Sequence, residues 1–212
     1  MVRTRIQYPG DEDTDFSKSI NAKYYRSFVR DKAQLKRHMA SIPWTKVEYP
    51  MYGKTRITPR MTWCYGRLND DIVKYRGKQF QTETMPPWLI DIRDQVFRET
   101  GFSANAAILN FYPNGTDHIN WHADDEKFLE EKTVASISLC AERVFSMRNS
   151  ENRFDITLRD GSLLMMYDGT EHCLDPQNNV RGRFNITLRK LNSEKGVGNY
   201  YYYNRGIQNS LY

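Results

Sequence analysis

Apolar residues recur along this chain with two different periods, and the change from one to the other divides it. Between Tyr25 and Ala40, Phe28, Val29, Leu35 and Met39 return at roughly helical spacing among Arg and Lys, which predicts an amphipathic helix laid on a core. Pro86-Pro87 open a second helix in which Trp88, Leu89, Ile92, Val96 and Phe97 make one apolar face, and Gly101 ends it. Between the two helices, Trp44 to Tyr49 and Arg60 to Tyr65 read as strands joined by a hairpin-like connection, Met51 to Pro59. Residues 66–85 are polar without a firm period and read as a long loop region.

Beyond Gly101 the period falls to two. Ala106 to Tyr112, Val134 to Leu139, Val144 to Arg148, Phe154 to Leu158, Ser162 to Tyr167 and Phe184 to Arg189 read as short strands, separated by turn residues such as Asn114-Gly115 and Asp160-Gly161. Many short strands at close intervals predict a sandwich or jelly roll, mainly β, with the helices packed on its outside.

Composition narrows this picture. A length of 212 residues supports one domain with appendages: a loose polar leader over 1–20, a domain over 21–192 and a Tyr-rich tail over 193–212. With 39% apolar residues and no run long enough for a membrane span, the expectation is a soluble protein, a monomer without membrane attachment. Cys64, Cys140 and Cys173 are widely spaced and the N-terminus has no apolar segment, so the expected compartment is intracellular, nucleus or cytoplasm. A net charge of +5 and a pI near 9.0 favour a polyanionic partner without deciding it.

The candidate chemistry centres on Asn110 to Asp125. His122 and Asp124 stand two positions apart, so in a strand both point to one face. A bare His-x-Asp is common, and most instances are solvent-facing strand or loop residues. Joined by a second imidazole it becomes the two-histidine, one-carboxylate arrangement of non-haem Fe(II) oxygenases. Of the four histidines, His172 is the natural partner, since the intervening residues suffice for several strands. Arg183, Asn185, Thr187 and Arg189 share one face of a later strand. Either that face meets solvent or an anion lies over it, and a dicarboxylate co-substrate held by an Arg fork satisfies the second case. Asn110 and Tyr112 form another same-face pair able to donate hydrogen bonds into such a cavity.

With these residues in place, Ile42 to Lys190 resembles the AlkB-type Fe(II)/2-oxoglutarate dioxygenases that repair alkylated nucleic acid. The matching segments are Pro59-Arg-Met-Thr-Trp-Cys-Tyr65-Gly66, Asn110-Phe-Tyr112, Asp117 to Glu126, Ala135-Ser-Ile-Ser-Leu139, Gly161 to Met166 and Arg183-Phe-Asn-Ile-Thr-Leu-Arg189. The chain departs from the family around Gly169 to Pro176, which lacks aromatic residues, and at Phe184, where a smaller aliphatic side chain is usual.

The resemblance implies a double-stranded β-helix, a cupin-like jelly roll, with Fe(II) held by His122, Asp124 and His172. It implies 2-oxoglutarate contacted by Asn110, Tyr112, Arg183, Asn185, Thr187 and Arg189, with Arg189 on the distal carboxylate, and O2 as oxidant. Substrate contacts then fall to Asp125 and Glu126 beside a cationic methylated base, to Tyr75, alternatively a locally packed loop tyrosine, and to Arg60 and Tyr65. Phosphate contacts are sought at Lys54, Arg56, Arg67, Lys74 and Arg76, which read equally as solvated basic residues. The implied activity is oxidative demethylation of 1-methyladenine- or 3-methylcytosine-type bases in DNA or RNA, releasing formaldehyde, succinate and CO2. Two alternatives stand beside it: a 2-oxoglutarate oxygenase of modified tRNA, protein or lipid, and a non-catalytic jelly-roll binder of nucleic acid.

Overall fold

The structure is a computed structural model that describes residues 4–51, 54–66, 72–75, 78–81, 83–124, 129–178, 180–191 and 200–202. In chain order the first elements are β1 (Thr4–Tyr8), β2 (Thr14–Asp15), β3 (Ala22–Tyr25), α1 (Lys32–Ala40), β4 (Thr45–Met51) and β5 (Lys54–Gly66). They are followed by β6 (Ile72–Tyr75), β7 (Lys78–Gln81), β8 (Glu83–Thr84) and α2 (Pro87–Thr100). The second half holds β9 (Ala106–Tyr112), β10 (Ile119–His122), β11 (Leu129–Cys140), β12 (Arg143–Arg148) and β13 (Asn152–Leu158). It continues with β14 (Leu163–Met166), β15 (Glu171–Leu174), β16 (Arg183–Leu191) and β17 (Tyr200–Tyr202).

Two sheets face each other as a jelly roll. The larger runs β2-β3-β14-β11-β16-β9-β5-β4, with β8 beside β5, and the smaller runs β1-β13-β12-β15-β10. Alternation along the central strands decides what each face of the larger sheet meets. Ala107 and Leu109 of β9, Ile137 and Leu139 of β11, and Ile186 and Leu188 of β16 pack with Leu35 and Met39 of α1 and Leu89 and Val96 of α2. On the opposite face Tyr112 and Val134 join Phe145, Met147, Phe154, Ile156 and Leu174 in a core between the sheets. The helices therefore lie outside and the polar stripe of β16 faces inward. No helix among the described residues is long and apolar enough to cross a membrane.

Several boundaries differ from those the pattern predicts. The first helix begins at Lys32, because the Asp31 carboxylate accepts from the Gln34 amide at 2.8 Å and caps it, while Tyr25 pairs with Leu163 in the sheet. Phe28 and Val29 reach the same core from the segment ahead of that cap. In α2, Phe97 lies one position past the buried Val96, about 100° around the helix axis, and is 53% exposed. The hairpin strand β5 starts at Lys54, so most of the expected 51–59 connection is strand.

Of the loose leader expected over 1–20, the described residues 4–20 are ordered against the sheets. Strand β1 pairs parallel with β13, β2 pairs with β3, and Phe16 and Ile20 are buried, because these apolar residues have a sheet edge to cover. Strands β6 and β7 pair in a third sheet inside the region read as loop, and β17 from the tail pairs parallel with β6. Four-residue strands hold too few alternations to stand out in a sequence. The other residues of the 193–212 tail lie outside the described ones.

Candidate metal and co-substrate site

The antiparallel pairing of β10 with β15 sets His122 directly opposite His172. Their rings lie 4.2 Å apart between centroids, tilted by 59°. Asp124 arrives differently from the strand-face expectation: β10 ends at His122, and Asp124 is held just past it by Arg189 of β16, whose Nη2 donates to Asp124 Oδ1 at 2.8 Å. Asp124 Oδ1 lies 3.9 Å from His122 Nε2, and Oδ2 lies 3.9 Å from His172 Nε2. The three ligand atoms fall within 4.8 Å of one another, the scale set by two metal–ligand bonds of about 2 Å each.

Backbone carbonyls fix which ring nitrogens are free. His122 Nδ1 sits 2.8 Å from the Asn120 oxygen, and His172 Nδ1 sits 2.7 Å from the Thr170 oxygen. A carbonyl can only accept, so each Nδ1 carries a hydrogen, and Nε2 is the atom each ring presents to Asp124. Burial, reinforced by the neighbouring His172, pushes the His122 imidazolium down to about 3. For Asp124 burial opposes ionisation, but the Arg189 charge and then the two imidazoles outweigh it and hold the carboxyl at about 2. At neutral pH the cluster is two imidazole donors, of which His122 is neutral, and one carboxylate. That donor set fits a divalent non-haem iron with open positions. Asp124 and His172 are buried, whereas the His122 side chain keeps 22% exposure, so the cluster opens on the His122 side.

From Arg189 the inward face of β16 continues through Thr187 and Asn185 to Arg183, all four buried at 2–7% exposure. This excludes the solvent-facing alternative. Thr187 Oγ1 donates to Asn185 Oδ1 at 2.9 Å, and Asn185 Nδ2 donates to Ser136 Oγ at 2.9 Å and to the Ile137 oxygen at 3.0 Å. Asn110 of β9 accepts from Arg60 Nε at 2.9 Å, and from Thr62 Oγ1 at 3.3 Å. The polar groups of the stripe thus hold one another in place.

Arg183 is the exception. Its Nη2 donates to Ser138 Oγ at 2.8 Å and its guanidinium carbon lies 5.3 Å from the centre of the Tyr112 ring. Its buried Nε has no hydrogen-bond partner, and burial pushes its pKa down to about 10. Among the described residues no carboxylate reaches it, so it is a buried cation awaiting an anion. A dicarboxylate with one end at the metal fits that need. Arg189, expected on the distal carboxylate, is instead engaged by the metal-site Asp124.

Of the expected substrate residues, Arg60 lies on the inward face of β5 with Thr62. Tyr65 does not: it pairs with Ala107 on the helix side and meets the Trp88 ring edge-on at 6.5 Å. Positions 60 and 65 differ by an odd number, so an extended strand turns them to opposite faces. Asp125 and Glu126 lie outside the described residues, as do Arg67 and Arg76 and the side chains of Lys54, Arg56, Lys74 and Tyr75. Ser136 and Ser138, which hydrogen-bond Asn185 and Arg183, show in the sequence only as a period-two polar pair. Arg143, fully buried at 0% exposure at the start of β12, carries no sequence signal, being one arginine among many.

The family model described as "2OG-Fe(II) oxygenase superfamily" matches residues 22–189. The "Alpha-ketoglutarate-dependent dioxygenase alkB homolog 3" of Bos taurus is 30% identical over 170 residues, covering 71% of this chain and 58% of that protein. The "DNA oxidative demethylase ALKBH2" of Mus musculus is 34% identical over 157 residues, covering 66% of this chain and 65% of that protein. The Arabidopsis thaliana protein of the same name is 28% identical over 184 residues, 70% of this chain and 58% of its own. The chain therefore spans somewhat more than half the length of these relatives. Among solved structures, "The structure of OsALKBH1" superposes with a TM-score of 0.62 at 15% identity over 80% of this chain and 98% of that one. An oxidoreductase of the 2OG-Fe(II) oxygenase family from Burkholderia pseudomallei gives 0.60 at 10% identity, over 89% and 96%. At such identities these two likenesses concern the fold alone.

Proposed function

This chain belongs to the 2OG-Fe(II) oxygenase superfamily, and from that premise we propose that it oxidatively demethylates N-alkylated bases, of the 1-methyladenine and 3-methylcytosine type, in DNA or RNA. The observation that carries the oxygenase reading is the convergence of His122, Asp124 and His172 on one small volume, with both Nε2 atoms turned toward Asp124. Similarity to proteins named DNA oxidative demethylase supports the choice of substrate.

In this reading His122, Asp124 and His172 hold Fe(II), and Arg183 with Tyr112 binds the distal carboxylate of 2-oxoglutarate. When bound, iron and 2-oxoglutarate supply the oxidising power: with O2 they yield succinate and CO2 and hydroxylate the N-methyl carbon, whose breakdown releases formaldehyde. The chain's own residues bind and orient. Arg189 keeps Asp124 ionised and aimed, the Asn120 and Thr170 carbonyls fix the imidazole tautomers, and Asn185 and Thr187 stiffen the floor between the two arginines. The inter-sheet core excludes water from behind the metal. The methyl group lies on the pairing edge, so the base is extruded or met in a single strand, and enters beside the more exposed His122. Asp125 and Glu126, directly after the metal carboxylate, give a cationic lesion its counter-charge. The catalytic domain is residues 21–192, with the β1–β2 segment packed against it.

The test supplies Fe(II), 2-oxoglutarate and O2 with single- and double-stranded DNA and RNA oligonucleotides carrying each lesion. Demethylated base by mass spectrometry and one formaldehyde per succinate are the expected products. Succinate formed without repair of any oligonucleotide assigns the oxygenase to another substrate class. No succinate at all, from protein that binds iron, overturns the co-substrate.

A further inference from the structure

We infer that Arg143 is a positioning residue for the co-substrate: it seals the barrel end remote from the histidines and makes that end doubly cationic, so that only a diacid is held there well. The inference rests on the assignment of 2-oxoglutarate to the Arg183 end.

Arg143 is the largest fully buried side chain among the described residues. Its Nη2 donates to the backbone carbonyl oxygens of Asp175 at 2.6 Å and Asp117 at 3.2 Å, and its Nε donates to Gln177 Oε1 at 3.0 Å. It thereby ties β12 to the turn before β10 and to the loop after β15. Gln177 Oε1 also accepts from the Val144 amide at 2.9 Å, and the Gln177 amide donates to the Gly115 oxygen at 2.8 Å. A Cβ on Gly115 would stand 1.8 Å from the Gln177 carbonyl oxygen, so these loops meet with no space between them. The barrel is closed at this end by one arginine and the backbone it gathers.

The third nitrogen, Nη1, is buried with no hydrogen-bond partner among the described residues, like Nε of Arg183. Cys140 pairs with Arg183, and the Ala141 amide donates to the Gly182 oxygen at 3.2 Å, so the turn from β11 into β12 brings Arg143 to the Arg183 end; the two charges oppose each other there, and Tyr112 interacts with both. Two neighbouring guanidiniums inside a core repel each other and are poorly solvated; Asp117 and Asp175 offset part of the Arg143 charge, whereas no carboxylate among the described residues does so at Arg183. One carboxylate placed there compensates both, whereas a methyl group compensates neither. The pair therefore discriminates by the far end of the co-substrate while the keto-acid end is common to all candidates.

The experiment measures calorimetric binding of 2-oxoglutarate and of 2-oxopentanoate, its isostere with a methyl in place of the distal carboxylate, to anaerobic protein loaded with Mn(II). Wild type is expected to prefer the diacid strongly. Arg143→Gln should lower diacid affinity by about tenfold or more while the monoacid changes less than about twofold, and Arg143→Lys should recover most of the preference. A folded Arg143→Gln protein with the wild-type preference overturns the inference and leaves the co-substrate assignment standing. A wild type without preference overturns that assignment itself. Should Arg143→Gln not fold, hydrogen exchange on the wild type decides. The diacid, but not the monoacid, should slow exchange at the Asp117 and Gln177 amides, and equal slowing by both overturns the proposal.

Discussion

The two ends of the barrel are built on opposite electrostatic plans. At the histidine end, Asp124 carries one negative charge and Arg189 one positive charge 2.8 Å away, with the His122 imidazole held neutral. At the far end, Arg183 and Arg143 are both cations, and no described carboxylate touches Arg183. The first arrangement is complete before any ligand arrives, and its donors are aimed by protein contacts alone. The second leaves the Arg183 charge uncompensated, with Asp117 and Asp175 offsetting only part of that of Arg143, which makes it costly in isolation and selective for an anion. A single strand face, Arg183 to Arg189, joins them, so metal site and anion site are spaced by about 20 Å of β16 backbone and bridged by long side chains and the co-substrate.

The largest expected effect breaks the histidine end. His172→Ala or Asp124→Ala removes one of three donors, and metal affinity and turnover should each fall by more than about a hundredfold. Metal titration beside the succinate assay checks this. Turnover within tenfold of wild type in either variant would remove the metal site from the argument.

Next comes the far end, where function and stability should part. Arg183→Met replaces a buried, unneutralised cation by a side chain that packs, so the ligand-free protein should gain about 1–4 kcal/mol and melt several degrees higher. The same variant should lose the thermal stabilisation that 2-oxoglutarate gives the wild type. A ligand-free variant less stable than wild type would mean that Arg183 is already compensated.

Arg189→Gln probes the brace between the ends. The folded Asp124 carboxyl lies at about 2, below its ordinary 3.8, so it contributes stability above pH 4 that disappears as pH falls through the folded value. Without the Arg189 charge that contribution shrinks at neutral pH, and the acid limb of the melting profile moves to higher pH. Metal affinity should fall about tenfold to a hundredfold, less than on loss of a ligand. An acid limb unchanged by the substitution would contradict the pairing.

How much of this was legible beforehand follows from what each feature depends on. Alternation alone marks the β16 stripe, because each residue there commits to one of two faces, whereas Ala106–Tyr112 shows as a short apolar run between turn residues. Strands β10 and β15 carry the histidines but are four residues long, and only pairing with neighbours far along the chain makes them strands. The division of labour between Arg183 and Arg189 is invisible in a sequence that shows both on one face; it depends on where Asp124 lands after leaving β10. Arg143 depends entirely on tertiary contacts with Asp117, Asp175 and Gln177. The placement of Tyr65 on the helix side follows from strand parity relative to Arg60.

That parity supplies the smallest and most discriminating prediction. Tyr65 packs on the helix side of β5, against Trp88 of α2, while the proposed base-binding cavity lies on the face of Thr62 and Asn110. Burial raises the Tyr65 phenol pKa, so its hydroxyl stays protonated and neutral. Removing that hydroxyl in Tyr65→Phe should therefore cost about 0.5–1.5 kcal/mol of stability at most and leave kcat/KM for a methylated oligonucleotide within about twofold. Arg60→Gln, only five residues away but bonded to Asn110 on the inner face, should lower the same kcat/KM by more than that while changing the melting temperature little. If Tyr65→Phe proves the more damaging to turnover with its melting temperature unchanged, β5 presents its other face to the substrate and the helices, not the smaller sheet, border the reaction.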